Sequence, residues 1–256
     1  MRVRVRVRVR RMVRRARPCE ATRVTPTRLE IAGLSTRIIG PPDAKVTCVL
    51  LHGFGAPGDD LVGLAGEIDA PVRLVFPAAP LELGGLYGDS RAWWMLDLAR
   101  LEEALRRGMP RDLRDEVPDG LAAARDHVGR FLDQLAARFA VADDQLVLGG
   151  FSQGAMLSLD LALHRPRPPA GLILMSGTLI AEAEWRPRMA SLAGVPVLLS
   201  HGRHDAMLPY HVAELLRDRL TEAGAAVDWQ PFLGSHEIPR AAIEAANRLL
   251  RGCAAR

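Results

Sequence analysis

The sequence predicts one doubly wound α/β domain, with a mostly parallel central sheet and helices on both of its faces. Short apolar runs alternate with amphipathic segments along most of the chain, as expected where helices cover both sides of each strand. The chain has 256 residues, 48% hydrophobic and 25% charged, which is enough to bury a sizeable core. It shows no internal repeat or second core, and no apolar run approaches the roughly 20 residues of a membrane-spanning helix.

Seven segments have the apolar and β-branched character of strands, and five have the spacing of helices. The candidate strands are Leu29–Ile39, Val46–Leu51, Val72–Phe76, Leu146–Leu148, Gly171–Met175, Val195–Ser200 and Val227–Phe232. The candidate helices are Asp60–Ile68, Gly120–Phe139, Ala155–Leu163, Tyr210–Ala223 and Pro239–Arg251. In the second helix, apolar residues recur at spacings of three and four, from Val128 to Phe139, which indicates a stripe that lies on the sheet.

Two regions depart from this alternation. Between residues 81 and 118, glycines and a charged piece at Leu98–Arg107 indicate a short insertion over the site edge of a domain spanning residues 25–256. Residues 1–24 form a basic tail that alternates Arg with Val and would place like charges along one face of a strand. We expect this tail to be a disordered extension; the alternative is an arm that binds a polyanion or directs targeting.

The basic excess of the chain lies in this tail. Residues 1–18 hold nine of the 34 Lys and Arg residues, so 25 basic residues face 30 acidic ones in the remainder. A body of this kind predicts no nucleic-acid partner. The cysteines Cys19, Cys48 and Cys253 are widely spaced and form no CxxC pair, which argues against a disulfide framework and favours a reducing, cytoplasmic compartment.

A glycine-rich turn follows the fourth candidate strand. Gly150-Phe-Ser152-Gln-Gly154 has the pattern G-x-S-x-G and leads directly into a helix, which is the context of a nucleophile elbow. Small residues on either side of the serine allow the strand and the helix to approach closely, and the N–H groups at the helix start favour developing negative charge. The alternative is a turn in which Ser152 only caps the helix.

Partners for such a serine are expected downstream, in the order Asp then His, each after a strand. Asp205 follows the strand at Val195–Ser200, and His236 follows the strand at Val227–Phe232. The loops that carry Ser152, Asp205 and His236 therefore lie at the same edge of the predicted sheet. A serine hydroxyl needs a general base, and an aspartate would orient the imidazole and stabilise its protonated form, so the three predict a catalytic triad.

Other histidines offer competing assignments. His204 adjoins Asp205 in sequence, but that position does not place it opposite the serine. The group His201, His204, Asp205 and His211 matches none of the common zinc spacings, so we expect no metal.

A second segment, after the strand at Val46–Leu51, reads His52-Gly-Phe54-Gly-Ala-Pro-Gly58-Asp-Asp60. The backbone N–H of Phe54 is the expected partner of the Gln153 N–H in an oxyanion hole. The same letters also fit the dinucleotide fingerprint G-x-G-x-x-G. That alternative fails because two aspartates stand where a pyrophosphate would bind, and no acid follows at the ribose position.

Taken together, LHGFGAPGDD, FPAAP with RAWWMLD, GGFSQGAM, SHGRHDAMLP and GSHEIP resemble the phospholipase/carboxylesterase branch of the α/β-hydrolases, which includes acyl-protein thioesterases. The resemblance covers about residues 46–247. It implies an α/β-hydrolase fold and cofactor-free hydrolysis of carboxylic esters or thioesters through an acyl-enzyme. It assigns Ser152, Asp205 and His236 as the triad and Phe54 and Gln153 as the oxyanion donors. Ala206 and Ser235 stand where relatives often have proline and glycine.

The resemblance also indicates a substrate pocket and partners. The pocket is expected to include Trp93, Trp94, Met207 and Leu208, with one tryptophan buried and the other facing the pocket. The alternative is that the two tryptophans only pack the insertion against the sheet. Bulky residues of the insertion, including Leu86, would favour small to medium acyl groups. The expected partner is a small-molecule or lipid acyl ester, and the chain is expected to be a monomer or a homodimer. The alternatives are hydrolysis of a lactone or an amide, or a catalytically idle binding protein.

Overall fold

The computed structural model describes residues 26–84, 88–107 and 112–256. The predictions for the arginine tail, for Cys19 and for Leu86 lie outside these residues. Within them, no helix is both long enough and apolar enough to cross a membrane.

An eight-stranded sheet forms the centre of the domain. Its strands are β1 (Thr27–Ile31), β2 (Leu34–Ile39), β3 (Val46–Leu51), β5 (Val72–Pro77), β8 (Leu146–Phe151), β9 (Gly171–Met175), β10 (Pro196–Gly202) and β11 (Ala226–Phe232). A separate small sheet contains β4 (Ala56–Pro57), β6 (Leu81–Glu82) and β7 (Ser90–Ala92). The order across the sheet is β1-β2-β5-β3-β8-β9-β10-β11. The six strands from β5 to β11 are parallel, and β1 and β2 pair antiparallel at one edge. This confirms the predicted mostly parallel α/β sheet.

The first candidate strand was wrong in one respect. Leu29–Ile39 is not continuous but forms a hairpin of β1 and β2, with its turn at Ala32 and Gly33. Both turn residues have positive φ angles, 49° and 77°, which reverse the chain direction. Strands β8 and β10 also run three and two residues further than predicted, up to the positions before the site loops.

Helices cover both faces of the sheet. They are α1 (Leu98–Arg107), α2 (Leu121–Phe139), α3 (Gln153–His164), α4 (Glu182–Trp185), α5 (Tyr210–Glu222) and α6 (Arg240–Ala254). Apolar residues of α2, α3 and α5 pack in one core cluster, and those of α6 pack in a second one together with Leu61 and Leu64. These two leucines belong to a short 3₁₀ helix at Asp60–Gly66, where the sequence predicted a longer helix.

The insertion is built around a small antiparallel sheet of β4 (Ala56–Pro57), β7 (Ser90–Ala92) and β6 (Leu81–Glu82). Strand β4 belongs to the segment that follows β3, so the insertion is attached to the loop that contains Phe54. The expectation for the two tryptophans after β7 is wrong, because Trp93 and Trp94 are only 2% and 1% exposed and both lie in the main core cluster. Both can be buried because Trp93 directs its indole N–H to the carbonyl of His52, whereas Trp94 packs against Gly120.

Candidate active site

Ser152 occupies a sharp turn between β8 and α3. Its φ and ψ angles of 53° and −117° lie in a region that a residue with a side chain rarely adopts. The backbone N–H of Ser152 donates to the carbonyl of Met175, at the end of the neighbouring strand β9 (2.9 Å). The strained conformation is therefore held by the sheet itself, and it places the serine before the first turn of α3.

The two glycines of the G-x-S-x-G pattern are required by close packing of backbone. A Cβ atom on Gly154 would lie 2.0 Å from the carbonyl oxygen of Leu51, and one on Gly150 would lie 2.3 Å from the same oxygen. Such distances are far below a van der Waals contact, and the atom that would have to move belongs to the end of β3. The pattern therefore brings the elbow against the strand that leads to the oxyanion loop.

Asp205 and His236 meet at the carboxyl edge of the sheet, as the order of residues predicted. His236 donates from Nδ1 to Oδ2 of Asp205 over 2.7 Å. The other carboxylate oxygen, Oδ1, accepts the backbone N–H groups of Met207 (2.8 Å) and Leu208 (2.9 Å). Burial alone would raise the pKa of Asp205, but hydrogen bonds from His236 and Leu208 and the charge of His236 hold it below its usual range. Asp205 is thus a carboxylate at neutral pH.

Backbone hydrogen bonds join the loops that carry these two residues. The N–H of Arg203 donates to the carbonyl of Phe232, and the N–H of His204 donates to the carbonyl of Gly234, each over 2.9 Å. At Gly202, a Cβ atom would lie 2.2 Å from the carbonyl oxygen of Ser235, so only glycine permits this approach. The distance between the two partners is therefore set mainly by the backbone.

The imidazole of His236 lies beside the elbow. Its ring packs against the ring of Phe151, the residue before Ser152, with 4.8 Å between the centroids. Among the described residues, the hydroxyl of Ser152 makes no hydrogen bond to His236. Such bonds between reacting groups often tighten only when substrate binds. The structure therefore brings Asp205 and His236 into direct contact and places the pair next to the serine.

A neutral histidine supports the loop expected to supply an oxyanion donor. His52 donates from Nδ1 to the carbonyl of Gly53 (2.9 Å), and its Nε2 accepts the N–H of Ala79 (3.0 Å). Burial lowers the pKa of His52 to about 4, so the ring is uncharged at neutral pH. It connects the segment containing Phe54 to the segment that follows β5 without adding charge to the site.

The side chain of Gln153 has a structural role that sequence reasoning missed. Its Oε1 accepts the backbone N–H of Trp93 (3.0 Å), and its Nε2 donates to the carbonyl of Trp94 (2.9 Å). The residue after Ser152 therefore ties the insertion to the elbow. A polar residue at the start of a helix that is mostly buried was the one available signal, because a buried amide needs hydrogen-bond partners.

The remaining predicted residues have mixed surroundings. Leu208 is buried and Met207 is half-buried, and their N–H groups bind Asp205, a role that the sequence did not indicate. His204 is exposed, whereas His201 is buried beside Asp205. Among the described residues, no three His, Cys, Asp or Glu side chains form a group that could hold a metal ion.

Comparison with known proteins agrees with the fold. A model of the Phospholipase/Carboxylesterase family matches residues 37–254. Acyl-protein thioesterase 1 of Neurospora crassa is 26% identical over 205 residues, which cover 73% of this chain and 78% of that protein. The crystal structure of esterase PE8 has a TM-score of 0.72 at 29% identity and covers 86% of this chain and 99% of its own. A carboxylesterase from Mesorhizobium loti, 21% identical, has a TM-score of 0.68 over 89% of this chain and 99% of its own.

These matches confirm the resemblance that the five sequence motifs indicated. The family model spans the sheet from β2 to the last helix, including both loops of the Asp205–His236 pair and the elbow at Ser152. The chain therefore belongs to the Phospholipase/Carboxylesterase family, and it is an ester hydrolase with the α/β-hydrolase fold.

Proposed function

We propose that the protein hydrolyses carboxylic esters or thioesters through an acyl-enzyme on Ser152, with His236 as general base and Asp205 as its partner. The observation that carries the proposal is the 2.7 Å contact between His236 Nδ1 and Asp205 Oδ2 beside the strained turn that presents Ser152. Acceptance of the Nδ1 hydrogen by a carboxylate leaves Nε2 of His236 unprotonated and able to accept a proton.

In the first half of the reaction, the oxygen Oγ of Ser152 attacks the acyl carbonyl while Nε2 of His236 takes the hydroxyl proton. The negative charge then falls on the former carbonyl oxygen, where the backbone N–H groups of Gln153 and Phe54 are the proposed donors. Gln153 begins α3, so its N–H lies at the positive end of a helix. Collapse of the intermediate breaks the bond to the alkoxide or thiolate, which leaves with the proton from His236.

In the second half, water attacks the acyl group on Ser152. His236 takes a proton from the water and returns one to Oγ as the carboxylic acid departs. Because His236 must be neutral at the start of each half to accept a proton, kcat/KM is expected to fall at acidic pH. Asp205 stabilises the protonated form of His236 in each transition state, since its charge is held by Met207 and Leu208.

The proposal also includes a substrate pocket at the same edge of the sheet. Met207 and Leu208 remain pocket residues in it, because they follow Asp205 at the same edge of the sheet. Trp93 and Trp94 enter it only as buried support, whereas Met95, which follows them, is 54% exposed. A panel of ester and thioester pairs from two to sixteen acyl carbons would establish the preference. A maximum at the long end would overturn the expectation of small to medium acyl groups.

Replacement of Ser152 by alanine tests the proposed function directly. Without Oγ no acyl-enzyme can form, so we expect kcat for the best ester of the panel to fall by about 10⁴-fold or more. A fluorophosphonate probe should label the wild type and not the variant. The matched control is Ser158→Ala, which removes a buried hydroxyl of the same helix that donates to Gly149 and Gly154.

The two variants separate the chemistry from folding. Ser158→Ala is expected to lower stability and to keep probe labelling, because its hydroxyl binds only backbone carbonyls. Wild-type turnover by a folded Ser152→Ala variant would refute the triad. Absence of labelling and turnover in a folded wild type would instead favour a catalytically idle relative.

A further inference from the structure

We propose that His201 is a positioning residue for catalysis, which acts on His236 through the Asp205 carboxylate that the two imidazoles share. Neither the sequence motifs nor the family comparison assigns a role to this residue. The inference rests on the proposed function, because it matters only if Asp205 and His236 act on Ser152.

His201 contacts the same carboxylate oxygen of Asp205 as His236 does. It is fully buried in β10, and its Nε2 donates to the carbonyl of Leu208 over 3.1 Å. The same Nε2 is 3.3 Å from Oδ2 of Asp205, the oxygen that accepts from His236. Because the N–H of Leu208 donates to Oδ1 of Asp205, both residues hold the backbone of Leu208: Asp205 binds its N–H and His201 binds its carbonyl.

The surroundings of His201 define its protonation state. Both groups within reach of Nε2 are acceptors, a carbonyl and a carboxylate, so the ring carries its hydrogen on Nε2. Burial lowers the pKa of His201, and the charge of Asp205 only partly opposes this effect. His201 is therefore a neutral donor at neutral pH, and it leaves the net charge of the triad unchanged.

The neutral N–H dipole of His201 near Oδ2 changes the electrostatic interaction between Asp205 and His236. The Nε2–H donates to Leu208, and Nε2 lies 3.3 Å from Oδ2 without a hydrogen bond to it; by its dipole alone it offsets part of the carboxylate charge, so Asp205 stabilises protonated His236 less than an otherwise equal carboxylate would. It also restrains the carboxylate from rotating away from His236. Loss of the N–H should thus strengthen the stabilisation of protonated His236 by Asp205 and loosen the geometry of Asp205 at the same time.

Few other charged groups reach this pair. The Tyr210 ring lies 6.3 Å from His201, on the first turn of α5. Arg203 lies over that ring, 4.9 Å from its centroid, and Glu214 and Arg217 are its other charged neighbours. From the last loop, only His236 faces His201 and Asp205 with a titratable group. A change in the pH profile on replacing His201 can therefore be assigned to the Asp205–His236 pair.

The test measures kcat and the acidic limb of kcat/KM for variants of His201. His201→Leu removes the donor, and we expect kcat to fall about tenfold and the limb to move upward by about half a pH unit. His201→Gln can still donate to Leu208 from its amide and should restore the limb to within experimental error of the wild type. His201→Met replaces the leucine variant if that one does not fold.

The control is His164→Leu, because His164 also pairs with a buried aspartate four residues away, Asp160, but outside the site. It should leave the limb unchanged. The inference would be overturned if the acidic limb of kcat/KM stayed at its wild-type pH in both His201→Leu and His201→Met. An equal shift of the limb in the His164 variant would also overturn it. If Ser152→Ala is inactive under the same conditions, such a result refutes the role of His201 alone; activity of Ser152→Ala refutes the proposed function instead.

Discussion

Replacement of Asp205 by asparagine removes one charge and almost no volume at the centre of the site. In the wild type, Oδ1 holds the N–H groups of Met207 and Leu208, and Oδ2 accepts from His236. In the variant, the amide oxygen is expected to keep the two backbone N–H groups, which leaves the NH₂ group facing His236. The imidazole would then accept this hydrogen at Nδ1 and carry its own hydrogen on Nε2, where the serine proton has to go.

The magnitude follows from these contacts. The wrong tautomer costs a serine hydrolase about 10⁴-fold in kcat, or about 5 kcal/mol of transition-state stabilisation. Stability should change less, because two hydrogen bonds lose their ionic character and each weakens by about 1 kcal/mol. In a domain of this size, a total of about 2 kcal/mol lowers Tm by about 6 °C. Activity should therefore be lost while most of the protein remains folded at 25 °C.

The assay compares ester hydrolysis and thermal unfolding with those of Asp160→Asn. Asp160 is also fully buried, and it accepts from Trp185 Nε1 (2.8 Å) and Arg125 Nη1 (3.0 Å) away from the site. The control should lose a similar amount of stability and no more than about threefold in kcat. If Asp205→Asn keeps more than a tenth of the wild-type kcat, the assignment of Asp205 is wrong.

Two further predictions concern stability. Gly154→Ala would place a methyl group 2.0 Å from the Leu51 carbonyl oxygen, so we expect a loss of about 3 kcal/mol and a fall in Tm of about 8 °C; a Tm within 2 °C of wild type would contradict the packing argument. Because burial lowers the pKa of His52 to about 4, the unfolded chain takes up its proton first, and the stability present above pH 6.5 is lost as the pH falls toward 4. The free energy of unfolding measured in urea should be about 2 kcal/mol lower at pH 5 than at pH 7. An equal or greater free energy of unfolding at pH 5 would show that His52 is not held neutral.

The sequence by itself determined the parallel sheet and the edge at which the site forms. Continuous apolar runs such as Val46–Leu51 and Gly171–Met175 can be satisfied only between two layers of helices, and both are strands with the predicted bounds. Side chains that directly follow parallel strands share one edge, so the sequence predicted Asp205 and His236 to be neighbours. In the structure, His236 Nδ1 lies 2.7 Å from Asp205 Oδ2. These outcomes depend on local pattern and on chain direction.

Only the tertiary structure decided which groups hold the site in place. The amide of Gln153 binds the backbone of Trp93 and Trp94, some 60 residues away, and both tryptophans are buried where the sequence predicted one. His201 meets Asp205 because β10 ends in a turn that folds back on its own last residues. Hydrogen bonds between such segments depend on side-chain directions that are set by packing, and hydrophobic periodicity carries no information about them.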